Sequence, residues 1–339
     1  VQTCALPILL FSLPISSKWP THAYMRACSP TDDSEFVPVT PDLIQRARTF
    51  NKMTAEALLS IPAFYRRPLA DLRQEQILWS HKKALNNAQW QTLDQSGVPI
   101  RLRIFRAGEA LPVCLHVHGG GWVMGGAGCQ DDYLEHLSLK AKVRIASVDY
   151  RLAPEHPFPD GLDDVTRALR HYLDDDSTGQ FSDKIVVCGE SAGANLLVGA
   201  LVRLRGHENF SRVRGALLNY GTFDLNGTES LRAATDHGRF LDLYAARWFT
   251  QQYIGDRDAY DPEVSPAFAD LQGLPPACLL VGDEDPVLDD SRLLHRRWQE
   301  AGNKAALQVV PAGLHGMLEM RTPLTALARD TLAQSLREL

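Results

Sequence analysis

The chain has 339 residues and a formal net charge of −6, with 45% apolar and 22% charged residues. That length buries a sizeable core as one large domain or two smaller ones, and the composition is that of ordinary globular proteins. The acidic balance leaves no basic stripe for phosphates, which excludes a nucleic-acid binder, and no apolar stretch reaches the roughly 18–20 residues of a membrane-spanning helix.

In chain order, "CALPILLFSLPISS" has the apolar look of a signal peptide, but no positively charged residue precedes it and two prolines interrupt it. "VQTCALPI" is what the end of a widely used sequencing adapter would encode. Residues 1–24 are therefore expected to be a non-native or disordered lead, with native protein starting at or near Met25. Thr40-Pro41 offers an N-cap with proline at the first helical position, followed by Leu43, Ala47 and Phe50 at helical spacing. Thr54, Ala57 and Leu58 predict a second short helix stopped by Pro62. Such a segment either flanks the main domain or forms a lid.

From about residue 98, strand-like runs alternate with helical ones. The strands are expected at Ile100–Phe105, Val113–Val117, Val143–Val148, Lys184–Cys188, Val213–Asn219, Ala277–Val281 and Ala306–Val310. Helices are expected near 130–140, 161–173, 192–204, 289–301 and 321–337. Runs that are apolar throughout imply a sheet covered on both faces, hence a mostly parallel α/β sheet. Residues 221–262 break this rhythm with extra helical sequence where a second lid element would sit. None of the six cysteines (Cys4, Cys28, Cys114, Cys129, Cys188, Cys278) forms a C-x-x-C pair, so no metal site is expected. Cys114, Cys188 and Cys278 lie in strand-like runs and read as small buried hydrophobes, which fits a reduced, cytoplasmic compartment.

Within "KIVVCGESAGANLL", a strand enters Gly189-Glu190-Ser191-Ala192-Gly193 and a helix leaves it. G-x-S-x-G between strand and helix is a nucleophile elbow. A serine hydroxyl needs a base to take its proton and an acid to orient that base, here in the order Ser, Asp/Glu, His. Downstream, "ACLLVGDEDPVLDD" ends a strand in Asp283, Glu284 and Asp285, and "LQVVPAGLHGML" ends the next in a loop carrying His315. Open α/β sheets gather catalytic groups at that edge. Side-chain reach leaves the three acids unseparated. In "LHVHGGGWVMGG", the glycines fail the Walker A pattern, having Gly126 where lysine belongs, and fail G-x-G-x-x-G. An HGGG segment after an early strand fits instead as supplier of oxyanion-hole N–H groups to the elbow.

Taken together, "HGGGWVMGG", "DYRLAPEHPFPDGLDD", "GESAGAN" and "DEDPVLDD…LHGM" resemble the hormone-sensitive-lipase-like family of α/β-hydrolase carboxylesterases. The resemblance implies an α/β-hydrolase fold, a mostly parallel central sheet with helices on both faces and a helical cap. By it, Ser191 matches the nucleophile, His315 the general base and Asp285, the residue before Pro286, the triad acid. Gly120, Gly121 and Ala192 match the oxyanion donors. Residues 25–90 become an N-terminal helical cap segment and 91–339 the catalytic domain, with a cap insertion around 221–262. The implied chemistry is hydrolysis of small-molecule esters with short or medium acyl chains through an acyl-serine, without cofactor. A homodimer is carried as a family expectation. "YRLAPEHPFP" is expected to give support rather than chemistry, and Trp122 is either an acyl-pocket wall or packing. Glu190 stands where aspartate is commoner and Ala194 where glycine often follows. Amides, carbamates or thioesters are alternative substrates, and a non-catalytic binding protein on the same fold is a further one.

Overall fold

A computed structural model describes residues 38–80, 88–94, 97–106, 111–174, 184–236 and 238–338, with side chains of 76–80 excepted. The expectations for residues 1–24 and for the lead-in up to residue 37 lie outside these. Eight strands form one sheet in the order β1-β2-β4-β3-β5-β6-β7-β8. They span Ala88–Leu93 (β1), Ile100–Phe105 (β2), Val113–Val117 (β3), Arg144–Asp149 (β4), Ile185–Glu190 (β5), Val213–Asn219 (β6), Ala277–Gly282 (β7) and Ala305–Val310 (β8). β1 pairs with β2 and β2 with β4 antiparallel, and every other pairing is parallel. In β3, β5, β7 and β8 every residue is buried, so both faces are covered, as their unbroken apolar runs require. Cys114, Cys188 and Cys278 are among those residues.

The strand β1 is not among the expected ones. Its sequence AQWQTL is polar, four of its six residues are exposed, and Trp90 lies on the surface under the guanidinium of Arg101, 4.1 Å from the ring centroid. An edge strand of this kind has little burial pattern to read.

The helices are α1 (Pro41–Leu59), α2 (Leu69–Ser80), α3 (Asp131–Ala141), α4 (Asp160–Asp174), α5 (Ala192–Leu204), α6 (Glu229–Ala233), α7 (Leu243–Ile254), α8 (Leu288–Glu300) and α9 (Thr325–Glu338). In α5, eleven of its thirteen residues are buried, and its Ala, Gly and Leu content suits a helix wedged against the sheet. The segments expected as two helices, from Pro41 and from Thr54, are one helix, α1. Nothing between Phe50 and Thr54 breaks it, and its buried stripe Leu43, Ala47, Asn51, Thr54 runs on at helical spacing. Thr40 caps it, its hydroxyl accepting from Leu43 N at 3.3 Å. The stretch 221–262 carries α6 and α7, and its start is pinned by the fully buried Asp290 of α8. That carboxylate accepts from Phe223 N (2.7 Å), Asp224 N (3.0 Å) and the Thr228 hydroxyl (2.7 Å).

Candidate active site

β5 ends at Glu190, α5 begins at Ala192, and Ser191 between them has φ 51° and ψ −120°, a conformation L-residues avoid. The flanking glycines have steric reasons. A Cβ on Gly193 would stand 2.1 Å from the Val117 carbonyl oxygen, and one on Gly189 2.8 Å from Leu197 Cδ1. The turn is anchored by Ser191 N donating to Asn219 O at 2.9 Å. Ala192 is the first residue of α5, at the positive end of its dipole.

His315, from the loop after β8, places Nε2 3.1 Å from Ser191 Oγ. Its Nδ1 lies 3.0 and 3.1 Å from the two carboxylate oxygens of Asp285, in the loop after β7. Asp285 is buried and also accepts from Val287 N at 3.0 Å. With Nδ1–H donating to Asp285, Nε2 is left to accept from the serine hydroxyl. Burial alone would lower the His315 pKa, but the charge and hydrogen bond of Asp285, joined by Glu319 and Asp290, outweigh it, and the net shift is upward.

The other two acids are held elsewhere. Asp283 Oδ1 accepts from Ala312 N at 2.6 Å, while Glu284 accepts from Asn51 Nδ2 of α1 at 2.8 Å. Asn51 also donates to Ala312 O at 3.0 Å, which fastens α1 to the loop leading to His315.

The glycine loop after β3 lies beside Ser191. A Cβ on Gly119 would sit 3.3 Å from Ser191 Cβ. Gly120 (φ +116°) and Gly121 (φ +61°) have no room for side chains, which would meet Met124 O at 2.2 Å and the Phe249 ring at 2.3 Å. His118 shapes this loop from beneath. It stacks on Tyr150 with centroids 4.3 Å apart, and its Nδ1 donates to Gly119 O at 2.8 Å. Burial depresses its pKa to about 4, so it is neutral at physiological pH. Trp122 is buried and stacks flat on Tyr253 of α7 at 4.6 Å, joining the loop to the insertion as packing. The "YRLAPEHPFP" loop ties the same parts together. Arg151 forks onto Asp164 at 2.8 and 2.9 Å, Ala153 N donates to Trp122 O at 2.9 Å, and Arg73 of α2 donates to Ala153 O at 2.8 Å. Over the glycines, Phe64 packs on Phe249 (5.0 Å) and Trp248 (5.9 Å), an aromatic roof drawn from the segment between α1 and α2 and from α7.

One buried group went unread in the sequence. Glu190 takes His116 Nε2–H at 2.7 Å and the Tyr133 hydroxyl at 3.0 Å, and His116 Nδ1 lies 2.8 Å from Ser147 Oγ. Both side chains of the Glu190–His116 pair are fully buried. The signal was present as polar residues inside runs that had to be internal. Among the described residues, no cluster of three or more His, Cys, Asp or Glu is placed to hold a metal ion, and no helix is long and apolar enough to cross a membrane.

This arrangement agrees with what the chain is similar to. Residues 114–319 match a family described as having the alpha/beta hydrolase fold. The chain belongs to that family, the hormone-sensitive-lipase-like α/β-hydrolases. It is 33% identical over 229 residues to carboxylesterase NlhH of Mycobacterium tuberculosis, covering 66% of this chain and 72% of that protein. It is 32% identical over 214 residues to an esterase of Acinetobacter venetianus, covering 61% and 69%. The fold matches a hyperthermophilic esterase from Pyrobaculum calidifontis with TM-score 0.75 at 26% identity, over 89% of this chain and 98% of that one. It also matches an ester hydrolase from the metagenome of Lake Arreo, complexed with a bipyridine phosphonate derivative. There the TM-score is 0.78 at 27% identity, over 89% and 99% of the two chains.

Proposed function

We propose that the protein is a serine carboxylesterase hydrolysing esters of short to medium acyl chains. The observation that carries this reading is the continuous line Ser191 Oγ–His315 Nε2 (3.1 Å) and His315 Nδ1–Asp285 (3.0 Å), drawn from three strand ends onto one point. His315 takes the serine proton as Oγ attacks the ester carbonyl, and Asp285 holds the ring and stabilises the imidazolium. N–H groups of Gly120, Gly121 and Ala192 receive the oxyanion. Collapse of the tetrahedral adduct breaks the bond to the alcohol oxygen, and His315 delivers its proton there. Water, deprotonated by the same histidine, then releases the acid and restores the serine. The cap is read as α1, α2 and the insertion with α6 and α7, walling the substrate pocket.

The relatives' names support the ester class, and the acyl-chain length rests on the resemblance to the family. A p-nitrophenyl series from acetate to palmitate tests both. Turnover is expected to be highest at C2–C8 and to fall off at C12 and beyond. A folded protein that hydrolyses no member would sink the reading. Because the base must be neutral and its pKa is raised, kcat/KM should fall as pH drops, with the midpoint of the acid limb above the ordinary histidine value of about 6.5. A limb centred well below 6.5 would contradict the Asp285–His315 coupling.

A further inference from the structure

Among the described residues, six other than glycine have a positive φ: Arg106, Trp122, Lys142, Ser191, Tyr220 and Ala312. Lys142 has an ordinary reason, being the left-handed cap of α3, and Ser191 is the elbow itself. Tyr220, at φ 36°, directly follows β6, and a bulky aromatic residue is rarely left in that region. Strain of this kind persists where the surroundings over-determine it, and it clusters at working sites.

The strained segment is held from two sides. Asn219 O accepts from Ser191 N at 2.9 Å, and Tyr220 N donates to Leu280 O of β7 at 2.6 Å. Asn219 Nδ2 also donates to Glu190 Oε1 at 3.4 Å. The end of β6 is thus fixed to the strand entering the elbow and to the strand leading to Asp285. The Tyr220 ring is fully buried and meets the His315 imidazole in a T-shaped contact, with centroids 5.2 Å apart and planes at 67°. Its hydroxyl has no hydrogen-bond partner, and burial raises its pKa well above that of an ordinary tyrosine, so it stays neutral and moves no proton. What Tyr220 offers His315 is its ring.

That contact matters unequally along the reaction. Before acylation the imidazole is held at both nitrogens, by Asp285 at Nδ1 and by the Ser191 hydroxyl at Nε2. Once Oγ carries the acyl group it has no proton to donate, and Nε2 must align with a water instead. The imidazole is then held by Asp285 and by packing alone. We propose that Tyr220 is a positioning residue for His315, bearing on the imidazole from the end of β6 and keeping Nε2 aligned while the acyl-serine is hydrolysed. This rests on the serine-esterase reading above.

Stopped-flow hydrolysis of p-nitrophenyl acetate separates the two half-reactions, because kcat/KM reports acylation and a burst of nitrophenolate reports a slower deacylation. Tyr220→Leu is expected to lower kcat about ten- to a hundredfold, the scale of a small misplacement of a reacting group, and kcat/KM clearly less. KM should therefore fall with kcat, and a burst approaching one nitrophenolate per active site should precede the steady state. Tyr220→Met, whose flexible side chain fills irregular space, carries the same expectation and keeps the test open if the leucine protein is too unstable. Tyr220→Phe restores the ring, so it should restore kcat and remove the burst, with no fall in melting temperature.

Equal losses in kcat and kcat/KM without a burst would be general loosening of the site and overturn the positioning role. So would an unchanged kcat in the leucine and methionine proteins, or a phenylalanine protein as slow as they are. In each case the ester-hydrolase reading stands. If folded wild type hydrolyses no member of the p-nitrophenyl series, that reading fails and the role of Tyr220 falls with it.

Discussion

Ser191→Ala is expected to lower kcat by about 10⁴–10⁶-fold while leaving the fold intact. The alanine inherits the same φ of 51° and loses only the hydroxyl, so its melting temperature should stay close to wild type. Labelling by a fluorophosphonate, which needs the activated oxygen, should disappear. Asp285→Asn should cost on the order of 10⁴ in kcat, because the amide no longer enforces the tautomer in which Nδ1–H donates. The neighbouring acids separate the readings. Asp283→Ala removes the acceptor for Ala312 N, and Glu284→Ala removes one of the two acceptors of the Asn51 amide, so both should act through the His315 loop and its tie to α1 with far smaller losses in kcat. If Glu284→Ala proves severe and Asp285→Ala mild, the proposed triad acid is wrong. Retention of ester turnover by Ser191→Ala would remove the acyl-serine route altogether.

How much of this could be read in advance follows from how local each signal is. Alternation of apolar runs with helical ones located seven of the eight strands, because most of these runs are buried on both faces and β2 still alternates buried with exposed positions. The elbow was legible because five adjacent residues carry it, as was the HGGG loop. Its glycines are required by Met124 O and the Phe249 ring, one inside the loop and one across from it on α7. The three acids were not separable, since Asp283, Glu284 and Asp285 are consecutive and only their side-chain directions differ. One faces the Ala312 amide, the next faces α1, and the third faces His315. The single long α1 was also misjudged. Asn51 and Thr54 are polar, and the burial of Asn51 became visible only once Glu284 and Ala312 were placed opposite it.

The Glu190–His116 pair is the case where local reading fails most, since its partners are 74 residues apart in the chain. Its location gives it a large expected effect. His116 is opposite Cys188 in the β3–β5 register, and the pair clamps the strand that ends at Ser191 to the strand that ends at the glycine loop. Glu190 is adjacent to Ser191, and His116 stands two residues before His118. Truncating one partner of a buried pair leaves the other desolvated and unpaired, which typically costs about 3–5 kcal/mol. Glu190→Ala would strand His116 Nε2–H and the Tyr133 hydroxyl together. For a chain of this size that corresponds to a fall in melting temperature of roughly 4–7 °C, read by calorimetry or circular dichroism. Glu190→Gln keeps the shape and an acceptor for His116, so its loss should be clearly smaller. Activity should follow the same order, with kcat affected more than KM, because the spacing of Ser191 from the oxyanion donors matters only once the tetrahedral adduct forms. A Glu190→Ala protein that melts within a degree of wild type would mean that the clamp bears no strain of holding the two strands together.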